Sequence, residues 1–424
     1  MKINERNVSR YVESFLNSIF KEKIRISCDK QNYIVSFGKS EVRYPIYKFW
    51  KTKDYDINVF KKDPIGIIFF FLTGYYEYIH KELCNDEYDR FPAKESFQYK
   101  NNLLEIPIVD LNILKIENDL SKLGLYLKRK DFFTKPKIFI THDIDHLGLF
   151  SKRKTSEVVH NMLGDLMKRK DFRQFFEKLI LILTNKDPCT IEHLIELHKK
   201  HRTKGTFFLL NGKQPMKYGK AGYDVINYMR YFEDIAQKIN FINGNIGVHY
   251  EPRYLINPQK ISNAIDKITS VTRKSILAGR SHYLMFEVDK SYKIYDEVGI
   301  KLDTTGGYAD SIGFRFGTSL PFKPYNFTEG KTYNVIEVPL IIMDGTLKGY
   351  MGLKPDEAFE KIKSIMSFIE KTNGVFTFLW HNTSFYHNGW KQWEWLYEKI
   401  IEYAKDHNFD FVVADEIIEG VNNA

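Results

Sequence analysis

The sequence predicts an α/β protein in which a parallel sheet, closed or wound with outer helices, is preceded by a smaller α+β domain. Two observations carry this. From about residue 131 onward, a helical run followed by a short apolar strand recurs at least four times, the pattern of strands joined by crossover helices. Residues 1–130 have a different mix, helical runs around short alternating strands, and the 424-residue length leaves room for both units.

The elements follow in order. Arg10–Phe20 is helical, with Tyr11, Phe15, Ile19 and Phe20 near one face. Tyr33–Phe37 and Glu41–Tyr47 alternate as strands. Asp63–His80 reads as one helix whose apolar face carries Ile67, Phe70, Phe71 and Tyr78. No metal ligands and no nucleophile with its base gather in this part, so its aromatic stripe is expected in the core.

Lys137–Thr141 alternates and is rich in β-branched and aromatic residues, the mark of a buried strand. A basic helical insertion follows at about 150–188, containing Lys152-Arg-Lys154 and Lys168-Arg-Lys170. Such a run is commonly a solvated helical face; its sharper reading is a lid, or a surface that meets anionic lipid or glycan. Helix and strand then alternate: Thr190–His201 into Thr206–Leu210, Tyr223–Lys238 into Asn245–His249, Ile261–Thr269 into Ile276–Tyr283, and Glu357–Lys371 into Val375–Trp380.

Composition narrows the function. The balance of 63 Lys+Arg against 54 Asp+Glu gives net charge +9, which favours anionic substrates slightly but is no nucleic-acid signature. No basic block interleaved with aromatics and no recognition-helix pattern appears, so no nucleic-acid partner is expected. Cys28, Cys84 and Cys189 are far apart and read as reduced thiols. The first eight residues lack the apolar core of a signal peptide, and Ile67–Leu72 is too short to span a bilayer. A cytoplasmic protein with no transmembrane segment, and at most peripheral membrane contact, is expected.

The chemistry collects at strand ends. Asp143 and Asp145 close the first long strand two positions apart, so both carboxylates enter one site. Two crowded acids repel unless a cation or proton lies between them, which suits one carboxylate on a divalent metal and its neighbour as a general base. The alternative is a polar strand exit capping the next helix. His249 ends a second strand, Arg280 and His282 share a face at the end of a third, and Leu379 and His381 do so at a fourth. In a (β/α) barrel, catalytic groups come from such ends, each from a different strand.

The ordered series Thr141-His-Asp-Ile-Asp145, Gly205-Thr-Phe-Phe208, Gly247-Val-His249, Arg280-Ser-His-Tyr283, Asp303-Thr-Thr305 and Leu379-Trp-His381 resembles the polysaccharide deacetylases of carbohydrate esterase family 4. The resemblance covers roughly residues 136–420 and looks closest to a divergent bacterial branch associated with surface polysaccharide. Phe69–Tyr78 and Arg90-Phe-Pro92 also look like the uncharacterised N-terminal domain of that branch. The resemblance implies a deformed (β/α) barrel of the polysaccharide-deacetylase type over 131–424, after an α+β domain over 1–130.

It also implies an activity: metal-dependent removal of an N-acyl group, acetyl above all, from a carbohydrate substrate, with Zn²⁺ or another divalent ion as cofactor. Asp143 would be the base, Asp145 and His249 metal ligands, Arg280 the partner of the base, Leu379 the acetyl-pocket lining and His381 the acid. The family's second motif is His-x-x-x-His, but here it reads His249-Tyr-Glu-Pro-Arg253, and a guanidinium cannot ligate a cation. His282, which stands where the family usually has Pro, is the first candidate for the missing donor. Tyr283, Arg253 and Asp303 are expected at the substrate, with Asp303 or Asp310 orienting His381.

The aromatics between Tyr308 and Tyr325 read equally as a sugar platform or as a loop packed over the barrel mouth. Two rival functions remain: a catalytically silent glycan-binding or scaffold protein on the same barrel, for which Arg253 speaks, and an amidase or esterase acting on a non-sugar substrate.

Overall fold

The computed structural model describes residues 3–151, 155–210, 229–251, 257–385, 390 and 392–423. Arg253 and the start of the expected helix Tyr223–Lys238 lie outside the described residues. The strands in chain order are β1 (Arg25–Cys28), β2 (Asn32–Phe37), β3 (Ser40–Pro45), β4 (Lys137–Ile144), β5 (Thr206–Leu210), β6 (Asn245–Tyr250) and β7 (Ala278–Ser281). They continue with β8 (Leu302–Asp303), β9 (Tyr325–Asn326), β10 (Lys331–Thr332), β11 (Ile336–Glu337), β12 (Ile342–Met343), β13 (Val375–Leu379) and β14 (Asp410–Val412).

The main sheet runs β11-β8-β7-β6-β5-β4-β13-β12, with β14 beside the first half of β4, and its pairings are parallel. Its two edges, β11 and β12, are neighbours in the chain. Val338 N–H reaches the Asp303 carbonyl on one side and Ile341 N–H the Thr377 carbonyl on the other, 2.9 and 3.0 Å away. So short a link cannot cross a flat sheet of this width, because an extended residue spans only about 3.5 Å. The sheet therefore curls into a barrel-like shell, which is the expected fold class.

Buried apolar residues on all faces make β4, β5 and β13 fully inaccessible strands, as parallel strands covered by helices must be. Glycine permits the tight interior at one point: a Cβ on Gly279 would lie 1.5 Å from the Tyr250 hydroxyl.

The N-terminal segment packs helix Glu5–Ile19 on the antiparallel sheet β1-β2-β3. The expected single helix over Asp63–His80 is instead two, Pro64–Leu72 and Tyr75–Ile79, broken where Gly74 takes φ 60°. One hydrophobic core runs from Val8 to Val421 without a break at residue 130. Buried polar ties reinforce the junction: Glu77 pairs with Arg315 at 2.6 Å, and Asp110 accepts from Ser319 N and Oγ at 2.9 and 2.7 Å. Phe314, Phe316 and Phe322 are 1% exposed or less. They belong to this core, so the loop is packed structure and offers no sugar platform.

Candidate active site

Register assembles the site. Ile144 is level with Leu209, Val248 and Gly279, so the next row holds Asp145, Leu210, His249 and Arg280. On the other side Leu379 is level with Thr141, which brings His381 to the height of Asp143. Side chains from the ends of β4, β6, β7 and β13 thus converge at one mouth, a cleft of about 260 Å³ whose lining includes Asp143, Asp145, His282, Leu379 and His381.

Asp145 Oδ1 lies 3.4 Å from His249 Nε2 and 3.6 Å from His282 Nε2, and ligating atoms of these three residues all fall within 4.8 Å of one another. The His249 tautomer is fixed from behind. Its Nδ1 is 3.0 Å from the Arg280 carbonyl, an acceptor only, so Nδ1 carries a proton and the neutral imidazole, the form that ligates a metal, turns its Nε2 lone pair to Asp145. Asp145 Oδ1 and His249 Nε2 are both buried, and neither has a hydrogen-bond partner among the described residues.

A lone pair facing a carboxylate in a buried site calls for a cation between them, and the donor set fits a divalent ion. A tetrahedron with arms of about 2.1 Å has edges of about 3.4 Å, and two His with one Asp leave the open position of a catalytic site.

Arg280 is fully buried and spends its guanidinium on the second acid. Nη1 donates to Asp143 Oδ1 at 3.0 Å and to Thr141 Oγ1 at 2.9 Å, while Nε donates to the Thr304 carbonyl at 3.0 Å. Asp143 therefore has a permanent counter-charge, and its Oδ2 stays 3.7 Å from His249 Nε2.

His381 meets a different carboxylate from the one expected. Asp344, directly after β12, takes His381 Nδ1–H at 2.7 Å and the His381 backbone N–H at 2.8 Å. His381 Nε2 points into the cleft, 4.0 Å from Asp145 Oδ2. Burial lowers the imidazole's proton affinity, but Asp344, helped by Asp145 and Asp143, more than offsets this and pushes its pKa up to about 10.

The expected orienting role of Asp303 or Asp310 is thus corrected. Asp310 caps the Ala93 N–H, at 3.0 and 3.1 Å. Asp303 is fully buried and receives Thr305 N–H and Oγ1–H at 2.9 and 3.0 Å, so it cannot touch a substrate. Its effect is indirect: Thr305 Oγ1 also accepts the Ser281 N–H at 2.9 Å, between Arg280 and His282. Leu379 joins Leu284, Ala309 and Leu340 in a small apolar cluster.

Sequence reasoning missed the contribution of the N-terminal segment. Tyr88 and Arg90 line the cleft. Tyr88 stacks on Tyr283 with centroids 4.8 Å apart, and Tyr283 stacks on His282 at 4.0 Å. Tyr283 holds φ 61°, unusual for a non-glycine residue, and Arg90 Nη1 donates to its carbonyl at 2.8 Å. The turn that presents His282 is therefore braced from outside the barrel.

Residues 2–124, which supply that brace, match a family model. The family is DUF7033, a family of unknown function. No curated protein matches the sequence. Among solved structures the chain is similar to a Mycobacterium smegmatis protein assigned as a polysaccharide deacetylase, at 13% identity over 68% of this chain and 91% of that one, with TM-score 0.44. It is also similar to a polysaccharide deacetylase from Bacillus cereus, at 14% identity over 66% and 92% of the two chains, TM-score 0.33. A pseudoenzyme of carbohydrate esterase family 4 from Bacillus anthracis matches at 13% identity over 71% and 80%, TM-score 0.35.

Proposed function

We propose that the protein is a metal-dependent hydrolase that removes an N-acyl group, acetyl in the simplest case, from a carbohydrate. The observation that carries this reading is the meeting of Asp145, His249 and His282 around one point, with an Arg-paired acid on one side and an Asp-paired histidine on the other. The ordered motifs read from the sequence support the same reaction.

A divalent ion held by Asp145, His249 and His282 supplies Lewis acidity toward an acyl oxygen and makes water more acidic. The protein's own groups do the rest. Asp143 Oδ2 accepts a proton from the attacking water as the new carbon–oxygen bond forms, and Arg280, bonded to Oδ1, aims that carboxylate. His381 is a cation at neutral pH and delivers the Nε2 proton to the amine nitrogen as the carbon–nitrogen bond breaks. The products are the free amine and the carboxylic acid. Leu379 and its apolar neighbours form a floor suited to a methyl group, and Tyr350, an exposed ring at the cleft wall, offers a face to a sugar. In this reading residues 1–130 form a domain that supplies one wall of the cleft.

The test is acetate release from N-acetylated oligosaccharides by the metal-loaded protein, with an N-acetylated peptide and an acetyl ester as comparison substrates. Release from the sugar that disappears in Asp143→Asn supports the proposal; turnover of the peptide or ester alone contradicts the carbohydrate assignment.

A further inference from the structure

Between β4 and the helix Ile191–His201 the chain leaves the barrel as a helical hairpin. Thr155–Gly164 continues through a π-helical turn at Asp165–Arg169, and Phe172–Leu183 returns. Its base is clasped twice. Asp187 accepts the backbone N–H groups of Leu149, Phe150 and Ser151 at 2.8–3.0 Å. Asn382, next to His381, donates to the carbonyls of His146 and Cys189, each at 2.6 Å. The hairpin thus rises from the rim of the cleft.

Its polarity is reversed relative to an ordinary globular hairpin. Between the helices Lys178, almost fully buried, pairs with buried Asp165 at 2.6 Å and donates to Asn161 at 2.7 Å. On the outside Leu163, Met167, Phe172, Phe176, Ile180 and Leu183 are between 46% and 76% exposed. A helix that packs on its own protein turns such residues inward, and a contiguous apolar face left outside marks a docking surface. Cations surround it: Lys168, Lys170 and Arg173 are exposed beside Met167 and Phe172 at the tip, and residues 151–186 hold nine Lys and Arg against four Asp and Glu.

We propose that this hairpin docks the protein on an anionic lipid surface, its apolar side chains entering the headgroup–acyl boundary and its cations meeting the headgroups. Charge selects this occupant. A second copy would bring the same basic excess against itself, whereas anionic headgroups complement it. Among the described residues no helix is long and apolar enough to cross a membrane, so the hairpin lies in the interface and does not span it. The proposal stands whatever reaction the cleft performs; its consequence is that the cleft, beside the hairpin's base, is held near the membrane.

Flotation of the full-length protein with vesicles tests it, using equal parts phosphatidylglycerol and phosphatidylcholine, and phosphatidylcholine alone. The protein is expected on the anionic vesicles and largely absent from the neutral ones. Met167→Asp with Phe172→Asp, and separately Lys168→Glu with Lys170→Glu, should each weaken binding by about tenfold or more. These positions are exposed, and unchanged thermal melting will confirm that the variants fold. Failure of the wild-type protein to bind anionic vesicles, or equal binding by the variants, overturns the proposal. So does a dimer, seen by light scattering, that the same substitutions dissolve while vesicle binding is absent.

Discussion

His249 Nε2 faces Asp145 Oδ1 across 3.4 Å, with the imidazole's only proton committed to the Arg280 carbonyl behind it. Left bare, this contact sets a lone pair against a carboxylate, and nothing else among the described residues hydrogen-bonds either atom. A divalent cation resolves the conflict and uses the third donor, His282. The account of the site rests on this relationship, and four further consequences can be checked.

In the proposed reaction Asp143 is the base and takes no part in holding the metal. Asp143→Asn should keep metal affinity within a few-fold and lower kcat by about 10²–10⁴. Paired metal titration and steady-state kinetics check it; loss of the metal together with activity would reassign Asp143 as a ligand.

Asp344 is the largest influence raising the proton affinity of His381, whereas burial alone lowers it. In the proposed reaction the active form of His381 is the cation, which exists below its pKa of about 10 in the intact site. Asp344→Asn should therefore move the alkaline fall of kcat to lower pH as well as reduce its maximum. A pH–rate profile with an unchanged alkaline limb would refute the assigned role.

Arg90 and Tyr88 brace the turn that carries His282. Arg90→Ala should weaken metal binding by about 10–100-fold, the usual cost of removing a group that orients a ligand, with a smaller effect from Tyr88→Ala. Calorimetric titration decides: wild-type affinity in both variants would leave the N-terminal segment no part in the metal site.

The opposite face of β4 predicts acid lability. His142 Nδ1 donates to the Trp380 carbonyl at 2.7 Å, and its Nε2 meets His198 Nε2 at 3.0 Å. His198 Nδ1 in turn takes the Thr203 hydroxyl at 2.8 Å. The chain is satisfied with both rings neutral, whereas two protonated rings would set N–H against N–H, and burial pushes His142 down to about 4 and His198 well below its ordinary value. Each group has a folded pKa below its unfolded one, so its stabilisation is complete above about pH 6.5 and disappears as pH falls toward 4. For His142 alone this amounts to about 3 kcal/mol. Urea unfolding from pH 7 to 4 should show the decline, and His198→Gln should flatten it; an equal slope in the variant would contradict the assignment.

Much of this was legible in the sequence, and the misses have physical reasons. The longer strands β4, β5 and β13 announce themselves as short runs rich in β-branched and aromatic residues, and the two-residue period places Asp143 with Asp145 and Leu379 with His381. Strands β11 and β12 are two residues each, too short to show any period, so Asp344 has no pattern to mark it. Asp303 opens the Asp303-Thr-Thr305 motif of the ordered series and Asp310 stands near it, but spatial order in a curled sheet is not chain order. Tyr88 and Arg90 reach the cleft only through tertiary packing, which no local pattern encodes. The break at Gly74 is visible as a glycine, although an unbroken apolar stripe runs through it.

The most direct measurement is divalent-metal binding by the purified protein, stripped with chelator and titrated with Zn²⁺ alongside Asp145→Ala and His249→Ala. A single equivalent bound by the wild-type protein, and lost in both variants while their thermal melting stays cooperative, is the predicted result. No stoichiometric binding by the wild-type protein, or undiminished binding by Asp145→Ala, would contradict the account at its centre.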